Sequence, residues 1–159
     1  MALDLINNRT ASDVANAKRI ISKVQQNIEL TESEYQEFYN GLRGAYNTSD
    51  VNRVMSAMEY ITNFINSQGY AFKFEPWQEW DNNDIFNQAN WQDYLNRIKM
   101  VRQYLPLPES IPQAPTTLFV SQAYQRANDI ETILLSIENY IVQMINGYLF
   151  LDDVELGEI

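Results

Sequence analysis

Apolar residues recur at helical spacing along most of this chain. Ala17, Ile21, Val24 and Ile28 fall three and four apart, with Ile20 widening the stripe. This pattern predicts a first helix that starts at Thr10 and runs to about Ile28. Thr10-Ala11-Ser12-Asp13 forms a capping box, in which the Thr oxygen takes an orphan amide and the carboxylate three residues on returns the bond. Thr31-Glu32-Ser33-Glu34 repeats the signature and opens a short second helix carrying Tyr35, Phe38, Tyr39 and Leu42, ended by Gly41 and Gly44. A third helix follows, with Asn47 or Thr48 as cap and Asp50 in its first turn. It places Val51, Val54, Met55, Met58, Ile61 and Ile65 on one face as far as Ser67, and Gly69 stops it.

From Tyr70 the period drops to two: Tyr70, Phe72 and Phe74 alternate with Ala71, Lys73 and Glu75, which predicts a short strand. Its partner would be Tyr148-Leu149-Phe150-Leu151 or Val154-Glu155-Leu156. The stretch Pro76 to Asp84 reads as a loop between two halves. A fourth helix is predicted from near Asn90, with Asn90 and Asp93 as a cap-like pair, to Leu105. Its apolar face is Trp91, Tyr94, Leu95, Ile98, Val101 and Leu105. Pro106, Pro108, Pro112 and Pro115 make the next linker stiff, extended and non-helical. Ser121 then caps a long fifth helix to about Asn146-Gly147. Its stripe of Ile130, Ile133, Leu134, Ile137, Ile141, Met144 and Ile145 is joined by Leu135 and Val142 on another side, as expected of a central helix. The expected fold is all-α, a bundle of about five helices around the long C-terminal one, with room for a small two-stranded β element. Residues 1–159 read as a single helical domain, with 1–75 and 85–159 as candidate related halves.

The case for related halves rests on an Asn-Arg pair. Asp50-Val51-Asn52-Arg53-Val54 matches Tyr94-Leu95-Asn96-Arg97-Ile98, with Ala57, Tyr60 and Ile61 against Val101, Tyr104 and Leu105 at the same offsets. Arg126-Ala127-Asn128-Asp129-Ile130 is a looser copy. At ~100° per residue, Asn52 and Asn96 both point away from the apolar stripes of their helices. Three readings follow for Asn52, Arg53, Asn96, Arg97 and Asn128: a solvated polar face, hydrogen bonds to a neighbouring loop or cap, or contact with another subunit.

Composition narrows the chemistry. Eleven Lys and Arg against 21 Asp and Glu give a net charge of −10. Such a field repels phosphate backbones and anionic lipid, and the basic residues are dispersed, so neither nucleic acid nor membrane is expected as a partner. The chain has no Cys and no His, which removes disulfides, thiol nucleophiles, imidazole chemistry and the usual zinc ligand sets. Glu79, Asp81 and Asp84, and later Asp152, Asp153 and Glu155, are acidic clusters whose spacing does not fit a calcium-binding EF-hand loop. Phosphate-binding, dinucleotide-binding and nucleophile-elbow motifs are missing, so no cofactor and no enzymatic activity are expected. Trp77 and Trp80, near Trp91 and Tyr94, read either as a plug at the junction of the halves or as an aromatic surface for a sugar ring or partner chain. Met-Ala-Leu-Asp-Leu-Ile at the start is too short and acidic for a signal peptide, and no apolar run approaches ~18 residues, so a soluble, non-secreted product is expected.

Several motifs together resemble a known module. Arg9 to Val14, Leu30 to Tyr35 and Gly44 to Val54 are followed by Leu95-Asn96-Arg97 with Val101-Arg102, by Leu105-Pro106-Leu107-Pro108, by Ala127 to Glu131 with Ile133-Leu134-Leu135, and by the closing Gly157-Glu158. In this order they resemble a helical module of tail- and baseplate-associated minor structural proteins of phages and prophages of Gram-positive bacteria. The resemblance implies a virion protein made in the bacterial host cytoplasm, in or near the tail tip or baseplate, that contacts other tail proteins and copies of itself. The fibre-forming segments that often accompany the module do not appear in this sequence, which favours an adaptor or structural subunit. Two alternatives stay open: a carbohydrate- or host-surface-binding tail module using Trp77 and Trp80, and a small cytoplasmic prophage regulatory protein.

Overall fold

The computed structural model describes residues 3–81, 84, 87–118 and 123–152, with side chains through residue 147. Its regular structure is five helices: α1 Ala11–Gln25, α2 Glu32–Tyr39, α3 Thr48–Ser67, α4 Gln88–Tyr104 and α5 Ala123–Asp152. The fold is all-α, and no strand is present among the described residues.

Local chemistry starts the helices. Thr10 Oγ1 accepts from the Asp13 N–H at 3.2 Å while Asp13 accepts from the Thr10 N–H at 2.7 Å. Thr31 and Glu34 repeat the exchange at 3.3 and 2.9 Å. In α3 the Asp50 carboxylate reaches back to the Asn47 N–H at 2.8 Å. The start of α4 lies earlier than the Asn90–Asp93 reading: Asn87 is the cap, and Asn87 and Asn90 exchange two bonds of 3.1 Å through their amides. The Ser121 cap expected for α5 lies outside the described residues.

The helix ends are less local. α1 stops at Gln25, short of Ile28, because Asn27 takes a left-handed φ of 54°. The Ile28 and Asn27 amides then turn back to the Lys23 and Val24 carbonyls at 2.8 and 3.1 Å, a Schellman closure with Asn in the place usually held by Gly. α5 passes through Gly147 to Asp152, so Tyr148-Leu149-Phe150-Leu151 is helical and not a strand partner for residues 70–74. A single helical Gly costs only ~1 kcal/mol, too little to end a long helix. Val154-Glu155-Leu156 lies outside the described residues.

The core joins α3, α4 and α5. Val54, Met58 and Ile61 from α3 meet Tyr94 and Ile98 from α4 and Ile130, Ile133, Leu134 and Ile137 from α5, all fully buried. Burying each such side chain contributes roughly 1.5–3 kcal/mol. α5 is apolar on more than one side because it packs against both other helices. Ala17, Ile20 and Leu42, with Ile21, Leu30 and Ala45 around them, form a smaller cluster that gathers α1 and the loops on either side of α2. Gly44 seats that loop: a Cβ there would lie 2.0 Å from the Asp13 carbonyl oxygen, so only glycine allows the chain so close to the start of α1. The proline-rich linker is non-helical as expected but bends instead of running straight. Buried Arg102 donates to the carbonyls of Pro108, Ile111 and Pro112 at 3.4, 3.3 and 3.1 Å, and the segment wraps around that guanidinium.

Candidate functional site

Extended segments are strapped to the helices by asparagine side chains. A primary amide carries one acceptor and one donating group side by side, the same pair a peptide unit presents, so it can pair with an extended residue like one rung of a β-ladder. Asn52 Nδ2 donates to the Trp80 carbonyl at 2.6 Å, and its Oδ1 accepts from the Trp80 N–H at 3.1 Å. Asn66 holds Phe72 in the same manner, at 2.8 and 2.7 Å. Asn128 holds Arg9, at 2.9 and 3.0 Å. Residues 70–80 form no strand, and side chains instead of a second strand meet their backbone at Phe72, Glu75 and Trp80. Asn96, equivalent to Asn52 by position in its helix, is exposed and accepts only from Gln92, at 3.2 Å. Its neighbour Arg97 does the strapping there. It donates to the Glu75 carbonyl at 2.7 Å, pairs with Asp93 at 2.8 Å, and lies 5.5 and 5.4 Å from the Phe74 and Trp77 ring centroids.

The N-terminal arm, residues 3–10, is held along α5 by the same logic. Leu3 N–H donates to Glu138 at 3.3 Å, Ile6 N–H donates to Glu131, and Arg9 pairs with Asn128, so the arm runs antiparallel to one face of the helix. Beneath it is a buried quartet of charges. Arg9 Nη2 lies 2.8 Å from both Asp50 and Glu131, and Arg53 Nη2 lies 2.6 Å from Asp50 and 3.0 Å from Glu131. The Arg9 and Glu131 side chains are 2% and 0% exposed. Two cations against two anions make the cluster neutral, which is what allows it in the interior. Burial works against the charge on Arg53, but Glu131 and Asp50 outweigh it and hold its pKa above the ordinary value.

Beside the quartet an aromatic wall lines the junction of α3 and α4. Tyr46 and Tyr94 share a hydrogen bond of 2.5 Å, Trp91 packs near both, and Trp77 stands between Tyr94 and Trp80 at centroid distances of 6.4 and 6.2 Å. Burial, with the nearby carboxylates adding to it, pushes both phenols above their ordinary range. Trp77 packs against the main core and Trp80 is half-buried, so neither stands out from the surface as an open platform. Of the residues singled out by sequence, the structure brings Arg53 into the quartet, gives Asn52 and Asn128 to extended segments, and places Arg97 on the Phe74–Trp77 strand-like stretch. Arg9, Glu131 and Arg102 stood in the sequence only within motifs of the family resemblance, with no role assigned; Glu131 and Arg102 are charged residues beside an apolar stripe, and Arg9 has no such signal.

What remains exposed lies elsewhere. Val24 and Ile28 on and after α1, and Tyr35, Phe38 and Tyr39 on α2, are open to solvent, Tyr39 by 77%. The Tyr35 and Tyr39 rings stack 6.4 Å apart at 16°. Phe38 and Tyr39 also border a cavity of about 430 Å³ that reaches Ile21, Asn47 and Ser49. Among the described residues no group of three or more Asp and Glu stands close enough to hold a metal ion, and no helix is long and apolar enough to cross a membrane. No protein-family model, characterised protein or solved structure matches this chain.

Proposed function

We propose that this chain is a non-enzymatic structural or adaptor subunit of a phage tail tip or baseplate, made in the host cytoplasm and carried in the virion. The observation that carries the reading is the group of exposed apolar side chains on and after α1 and on α2, namely Val24, Ile28, Tyr35, Phe38 and Tyr39, joined elsewhere by Tyr70, Met100, Tyr104 and Val142. Tyr-rich exposed patches of this kind mark protein contact surfaces. The motif resemblance to tail-associated minor structural proteins supplies the biological setting. Buried polar chemistry here is spent on holding segments together: the quartet is neutral, and its carboxylates are occupied by arginines and backbone amides. Partners are other tail or baseplate proteins and further copies of the chain. Density-gradient fractionation of a lysate of the encoding phage tests this. The chain should sediment with assembled tails, and recovery only in the free cytoplasmic fraction would favour a prophage regulatory role instead.

A further inference from the structure

We propose that Asn40 is the site of a spontaneous covalent modification, in which the Gly41 backbone nitrogen attacks the Asn40 side-chain carbonyl and the amide becomes an acid. The step is intramolecular. The nitrogen bonds to Cγ, the C–N bond of the side-chain amide breaks, and the displaced NH2 takes up the proton that the Gly41 nitrogen gives up and leaves as ammonia. A five-membered succinimide remains. Water then opens either carbonyl of the ring, giving aspartate or an isoaspartate whose main chain runs through Cβ. Nothing is oxidised or reduced, and water is the only co-reactant. Glycine in the following position favours the attack because it has no Cβ to crowd the nitrogen. Nothing in the step depends on where the chain is assembled.

The chain carries two Asn-Gly pairs, Asn40-Gly41 and Asn146-Gly147, and the fold sets them apart. Both asparagines are exposed, so access to water does not distinguish them. Backbone freedom does. Ring closure swings the following nitrogen about the Cα–C bond of the asparagine toward its own side chain. Asn146 and Gly147 lie inside α5, where that nitrogen is committed to the carbonyl four residues back and the rotation breaks the helix. Asn40 caps the end of α2, its own N–H donating to the Gln36 carbonyl at 3.0 Å. Among the described residues no hydrogen bond holds the Gly41 N–H or the Asn40 side-chain amide, so the swing from the observed Asn40 ψ of −3° gives up none at that nitrogen. Two open cavities, of about 460 and 430 Å³, both border Asn40 and Gly41 and give water access to the ring. The turn itself demands the glycine, since Gly41 has a left-handed φ of 93°. The fold thus requires the residue that makes its neighbour reactive.

The product acts on α2. Its new carboxylate stands at the helix C-terminus, where the macrodipole disfavours negative charge, on a helix that already carries Glu32, Glu34 and Glu37. The isoaspartyl form also lengthens the main chain just before the loop that Gly44 seats against the start of α1. α2 should therefore loosen after modification.

Peptide mapping by mass spectrometry of the purified full chain, aged in warm, mildly alkaline buffer, tests the inference. The peptide holding Asn40 should gain the mass of an amide-to-acid exchange about 10-fold or more faster than the peptide holding Asn146, a ratio that ~1.4 kcal/mol of helix opening already produces. Part of the product should accept a methyl group from an isoaspartyl methyltransferase. Asn40→Gln, whose longer side chain closes no five-membered ring with that nitrogen, should stay unmodified over the same interval. In denaturant the two sites should convert at similar rates, since only the fold separates them. Aged protein should also show lower hydrogen-exchange protection over residues 32–39 than fresh protein. Equal rates at Asn40 and Asn146 in the folded chain, a difference that persists in denaturant, an Asn40 that converts only in denaturant, or conversion that leaves protection over residues 32–39 unchanged would each overturn the proposal.

Discussion

Asn52 and Asn96 occupy matching positions in their helices and do opposite things. Asn52 satisfies both backbone groups of Trp80, so removing its amide strands a partly buried N–H and C=O. Asn52→Ala should therefore cost ~1–3 kcal/mol in a denaturant melt. Asn96 is exposed, and Asn96→Ala should stay within ~0.5 kcal/mol. Equal losses at the two sites would contradict the strapping role. Helical periodicity correctly turned both side chains off the apolar stripe. It had no means of showing that a loop 28 residues later, at Trp80, comes back to meet only one of them. The quartet was less legible still. Arg9 sits in a segment with no periodic pattern, and only the fold brings it to Asp50 and Glu131. Glu131→Gln leaves the buried Arg9 and the partly buried Arg53 facing one carboxylate and should cost ~3–5 kcal/mol. A loss below ~1 kcal/mol in the same melt would show that the quartet is open to water.

At the scale of elements, helix starts were readable because capping is contained within four residues: Thr10 with Asp13 and Thr31 with Glu34 are as much motif as structure. Ends were less so. α1 closes through a left-handed Asn27 where no glycine signals a stop, and α5 ignores the glycine at 147 that looked like one. Alternation over Tyr70 to Glu75 predicted a strand where the structure has none, because alternation reports which side chains are buried and not what pairs with the backbone. Here Asn66 pairs with the Phe72 amide and carbonyl, and Arg97 donates to the Glu75 carbonyl. Packing of α1 on α2 has a pH signature. Lys23, the Thr31 amide and Arg19 hold the Glu34 carboxyl at about 2, below its ordinary 4.5. Since the folded state binds this proton less readily than the unfolded chain, its contribution is fully present above pH 4.5 and fades as pH falls toward 2. Protection factors for hydrogen exchange over residues 32–39, which take out the intrinsic pH dependence of amide exchange, should thus fall across that window in the wild type. Glu34→Gln should show lower protection already at neutral pH and little further loss in acid, and identical protection profiles for the two proteins would contradict the assignment.

Across the whole molecule, the all-α bundle with α5 at its centre followed directly from the two-sided apolar pattern of that helix, because burial on two faces leaves a mark at every turn. The role of the N-terminal arm and the proline-rich linker did not, since the arm is held by Asn128, Glu131 and Glu138 of a helix far along the chain and the linker by the one guanidinium of Arg102 near the end of α4. Both pack over the interior around α3, α4 and α5, while apolar side chains stay exposed on α2, at Tyr35, Phe38 and Tyr39, and on α4 and α5, at Met100, Tyr104 and Val142. On the reading proposed above, such a subunit acts by being joined to others. Mass spectrometry of purified, salt-washed virions of the encoding phage is the direct test. Peptides of this chain at a constant ratio to the major tail protein are the predicted result, and their presence in the lysate but absence from the particles would contradict a place in the virion.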